Sequence, residues 1–92
     1  MAYEKAQIVR SLAGHDKGDV FCILDTEGPY LLLADGKRRK TAAPKRKKAV
    51  HVACAGEFHH PALERIRAGE EAVDSEIRRA LAAFRAEELR RV

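Results

Sequence analysis

Short apolar runs rich in branched residues follow one another at intervals too brief to hold a helix. AQIVRSL (6–12), DVFCILDT (19–26) and YLLLA (30–34) are separated only by AGHDKG (13–18) and the turn EGP (27–29). Parallel strands need crossover connections of a dozen or more residues, so such runs can pair only as antiparallel neighbours. Asp35-Gly36 then gives a two-residue hairpin signal, since a type I′ turn needs positive φ at both central positions. A hairpin there makes KRRKT (37–41) a short fourth strand. Pro44 interrupts pairing, KRKK (45–48) bulges outward, and AVHVAC (49–54) reads as a fifth strand. The expectation is mainly β: a small antiparallel barrel of about five strands over residues 1–55.

After Gly56 the period changes. Pro61 suits a first helical position, Leu63 and Ile66 share a face, and Gly69 stops a short helix over about 61–68. A longer helix, about 74–91, starts from Asp74 or Ser75 as N-cap. Val73, Ile77, Leu81 and Phe84 form its apolar stripe, with Ala80 alongside. Residues 56–92 thus read as a C-terminal α-helical extension, whose stripe packs on the barrel or carries a partner helix.

The charge is unevenly placed. Eleven Lys/Arg face six Asp/Glu in residues 1–50, and seven face eight in 51–92, so the excess of +4 belongs to the first half. Eight of those cations crowd into the twelve positions from Lys37 to Lys48, without an acid among them. Cations so close repel one another, which makes tolerance alone a poor explanation and a polyanionic partner a better one. The composition also permits a nuclear-localisation reading, but the run lies inside a segment expected to fold.

Gly14 and Gly18 bracket the displayed residues His15, Asp16 and Lys17. A lysine in a glycine-flanked turn lets a cation and bare backbone N–H groups approach one phosphate. An apolar strand, then Ser11-Leu12-Ala13-Gly14-His15-Asp16-Lys17-Gly18, then another apolar strand resembles the KOW motif of ribosomal proteins and transcription elongation factors. LLLADGKRRK followed by PKRKKAVHV extends the likeness to small bacterial KOW-domain RNA-binding proteins. Those are similar to the eukaryotic-type protein fourteen of the large ribosomal subunit. The resemblance covers about residues 6–52. It departs from the family near its start, where the usual glycine is Ala6 or Gln7 here, and it assigns no function to residues after His51.

The resemblance implies an SH3-like barrel and a non-catalytic RNA-binding protein, ribosome-associated, with ribosomal RNA as its partner. The expectation of a cytoplasmic chain comes from its cysteines and from the lack of a signal-like or membrane-spanning run. Carried over by position, the contacts fall on two surfaces. One is the Gly14–Gly18 turn with Arg10, His15 and Lys17; the other is Lys37, Arg38 and Arg39 with Lys45, Arg46, Lys47 and Lys48. Few aromatics are available to stack on bases, and Tyr30 reads equally as core or platform. Recognition of folded RNA through phosphates and shape is therefore expected. The alternative is a protein-interaction adaptor of the transcription or translation machinery, using the barrel or the C-terminal helix.

Other chemistry has little support. His51, Cys54, His59 and His60 lie within ten residues but lack the paired spacing of zinc ligands, so neither metal nor cofactor is expected. No carboxylate pair, phosphate-cradling glycine loop or nucleophile elbow suggests an enzyme. Cys22 and Cys54 both read as small buried hydrophobes of a reducing compartment. No apolar run reaches membrane-spanning length, and no signal-peptide-like segment is present.

Overall fold

Two apolar residues in succession mark the central strands as buried on both faces. In the computed structural model, which describes residues 3–91, β1 (Ile8–Ser11) and β2 (Val20–Glu27) lie in the middle of a five-stranded antiparallel sheet. Ile8, Val20 and Cys22 point to one side, while Val9, Phe21 and Ile23 point to the other. The remaining strands are β3 (Tyr30–Ala34), β4 (Lys45–Lys48) and β5 (Val52–Cys54), in the order β4-β3-β2-β1-β5.

The edges of this sheet are joined directly. One turn of 3-10 helix, Ala49–His51, links β4 to β5. Flat, those edge strands would lie roughly 19 Å apart, whereas a 3-10 turn of that length advances only about 8 Å. The sheet must therefore curl, and its concave side encloses Val9, Phe21, Ile23, Leu31, Leu33 and Val52. It remains open: no ladder joins β4 to β5 among the described residues. The expected class, mainly β with a C-terminal helical extension, is the one observed.

The convex side is covered by α1 (Pro61–Arg67) and α2 (Asp74–Arg90). Ile77, Ala80, Leu81 and Phe84 of α2 pack with Ala62, Leu63 and Ile66 of α1 on Ile8, Val20, Cys22 and Ala34. The stripe is thus used within the chain, each large side chain contributing roughly 1.5–3 kcal/mol by burial. Phe58 closes the layer edge-on to Phe84, with ring centroids 5.5 Å apart.

Several boundaries differ from the sequence reading. KRRKT is a loop; the fourth strand is KRKK, which directly follows Pro44. Asp35-Gly36 makes no two-residue hairpin. Instead the Asp35 carboxylate accepts from the amides of Lys37 and Arg39, at 2.9 and 2.8 Å, and closes a wider turn. The fifth strand is shortened to Val52–Cys54 because Ala49–His51 coil to make the corner. Val73, rather than Asp74 or Ser75, is the N-cap of α2, and it lies outside the buried stripe. Cys22 is buried, which pushes its thiol up to about 12, whereas Cys54 is exposed on edge strand β5. Ala6 holds φ +69° with its side chain buried, a left-handed bend that an alanine seldom adopts.

Candidate nucleic-acid interface

Directly paired residues of an antiparallel ladder point to the same face. Lys45 pairs with Leu33 and Lys47 with Leu31, both of them core residues, so these lysines project toward the mouth of the curled sheet. There they meet Asp16. Lys47 Nζ donates to Asp16 Oδ1 at 3.0 Å and to the Ala13 carbonyl at 2.7 Å. Ser11 Oγ donates to Asp16 Oδ1 at 2.7 Å. Lys45 Nζ faces Asp16 Oδ2 at 2.8 Å, off the hydrogen-bonding direction. Burial alone would raise the Asp16 pKa, but Lys45, Ser11 and Lys47 together outweigh it and hold the carboxyl well below the usual range.

This buried cluster ties the Gly14–Gly18 turn to β4 and brings part of the two expected surfaces together. Between them lies a cleft of about 230 Å³ lined by His15, Arg38, Arg39 and Lys45, with Asp16, Asp19, Asp35 and Phe21. Its three carboxylates are already engaged: Asp16 as described, Asp35 by backbone amides, and Asp19 by Arg38 at 3.7 Å.

The loop carrying Lys37–Lys40 is fixed from behind by α2. The Thr41 amide donates to Asp74 Oδ1 at 2.7 Å, and Arg78 donates to the Gly36 carbonyl. Gly36 holds φ +76°, and a Cβ there would come within 2.3 Å of the Asp74 carbonyl oxygen. Only glycine permits that approach.

The expected contact residues therefore divide. Lys47 is a frame residue, only 8 % exposed, and Lys45 is partly committed to the same cluster. Arg10 is spanned by Glu88 of α2, its Nη2 lying 2.7 and 2.6 Å from the two carboxylate oxygens, while Nη1 donates to the Gly18 carbonyl. Lys17, Lys37, Arg39 and Lys48 are exposed and have no acidic partner among the described residues; the same holds for Lys40, which the resemblance did not single out. His15 is exposed on the turn. Arg46 and Lys48 face away from the cleft, both of them near the Tyr30 ring. Asp16, Asp74, Arg78 and Glu88 were not legible as site residues, since each acts through a partner distant in sequence. Only the Gly-flanked Asp16 carried a local hint.

The site contains no cluster of three or more metal-ligating side chains among the described residues. No helix there is long and apolar enough to cross a membrane. Comparison with protein-family models gives no match, and comparison with curated proteins gives none.

Proposed function

We propose that this chain is a non-catalytic RNA-binding protein that docks on structured RNA, ribosomal RNA foremost, through phosphate contacts. The observation that carries the reading is the division of the basic run. Lys47 and Lys45 are used up in holding the turn and β4 together, which leaves Arg39 at the cleft and Lys17, Lys37 and Lys40 exposed on the adjoining turn and loop, none of them in an ion pair among the described residues. Cations held on a clamped loop lose little conformational freedom on binding, and each phosphate they meet releases counterions. The resemblance to KOW domains supports RNA over DNA and a role in translation; a cytoplasmic location goes with that role.

The adaptor alternative loses one of its two candidate surfaces, because the α2 stripe is buried on the sheet; the barrel surface remains for it. The experiment is a titration of a folded ribosomal RNA fragment against the protein over a range of salt. A steep linear fall of log affinity with log salt is expected; affinity indifferent to salt would reject the reading.

A further inference from the structure

Alternation along β4 sends every second cation to the outer face of the sheet, away from the cleft. Lys48 pairs directly with Tyr30, and Arg46 lies one diagonal step along the strand. The Arg46 guanidinium carbon sits 3.6 Å from the centre of the Tyr30 ring, the separation of stacked planes. Glu27 Oε1 lies 3.4 Å from Arg46 Nε and fixes the guanidinium in place. More than half of the Arg46 side chain is exposed, which leaves surface on it for a ligand. Lys48 Nζ stands 5.9 Å from the same ring and has no acidic partner among the described residues.

A flat cation backed by an aromatic ring, beside a free ammonium, offers a nucleotide the two things it needs. A planar guanidinium accepts a base by stacking, and a point charge takes the adjoining phosphate. Paired bases in a helix cannot use such a platform, because their faces are already covered. β4 is also the edge of the sheet and lends Lys45 to the cleft, so one strand carries both surfaces.

We propose that Tyr30, Arg46 and Lys48 form a docking subsite for one unpaired nucleotide, its base stacked on the outer plane of Arg46 and its phosphate held by Lys48. This rests on the RNA-binding reading and gives that site a preference for a bulge or loop beside the duplex.

The test uses two RNA hairpins of the same stem, one fully paired and one carrying a single bulged 2-aminopurine. The parent should bind the bulged hairpin about tenfold more tightly, as expected for one stacked base, and quench its fluorescence. Arg46→Lys keeps the charge but removes the plane, so it should bind the paired stem as before and lose both preference and quenching. Tyr30→Phe should retain them and Tyr30→Leu lose them. A parent without preference, or an Arg46→Lys variant that keeps it, overturns the subsite while leaving duplex binding intact. Failure of the parent to bind either hairpin in a salt-dependent way overturns the RNA reading itself, and the subsite with it.

Discussion

Lys47 Nζ and Asp16 Oδ1, separated by 31 positions in sequence, lie 3.0 Å apart with both side chains buried. This pair turns a lysine from the middle of a basic run into the tie between a strand and the turn that faces it. Removing Lys47 leaves Asp16 with only Lys45 and Ser11, and the loss of a charge-assisted hydrogen bond typically costs about 1.5–3 kcal/mol. Lys47→Ala should therefore lower stability by that order in urea unfolding. Lys37→Ala, on the exposed loop, should change it by less than about 0.5 kcal/mol.

The same pair sets an acid limit. The Asp16 carboxyl is depressed from its ordinary 3.8 in the folded chain, so the unfolded state takes up the proton first. Its contribution is complete above pH 5 or so and falls as pH drops through about 4 and below. Asp16→Asn should be less stable than the parent at neutral pH, and its stability should decline less steeply between pH 5 and pH 2. Urea midpoints across that range check the slope.

Gly36→Ala forces a methyl group onto the Asp74 carbonyl in a left-handed conformation. Strain and overpacking together should cost roughly 2–4 kcal/mol. Hydrogen exchange at the Thr41 amide, which Asp74 accepts, should accelerate as the clamp on the loop loosens.

Glu88 holds Arg10 in a pair whose side chains are each about two-fifths exposed, 41 % and 37 %. Such pairs add about 1 kcal/mol at most. Glu88→Gln should thus barely alter stability, yet free a cation beside the Gly14–Gly18 turn. RNA affinity at low salt should rise a few-fold, and the gain should vanish at high salt.

The periodicity of residues 6–34 was enough to place three antiparallel strands, because each side of those strands meets a core. The stripe from Ile77 to Phe84 placed α2 for the same reason. What the sequence could not show was β4. KRKK has no apolar residue to reveal which face is inward, and Lys47 is buried only because Asp16 waits there. The Asp35-Gly36 signal misled for a related reason: the Asp35 carboxylate bonded to amides two and four residues on, and a wider turn won over the tight hairpin. Contact residues inferred by resemblance were sorted only by their partners, so Arg10 and Lys47 turn out to be paired, while Lys37 and Arg39 stay free.

The most direct test of RNA binding by the displayed cations is a charge reversal confined to them. The Lys17→Glu, Lys37→Glu, Arg39→Glu variant leaves the Asp16 cluster and the α2 clamp untouched and should unfold at the parent's urea midpoint. Its affinity for a folded ribosomal RNA fragment, at about 100 mM salt, should fall at least tenfold, with a visibly shallower salt dependence. A folded variant that binds that RNA as tightly as the parent, with the same salt slope, would contradict the account.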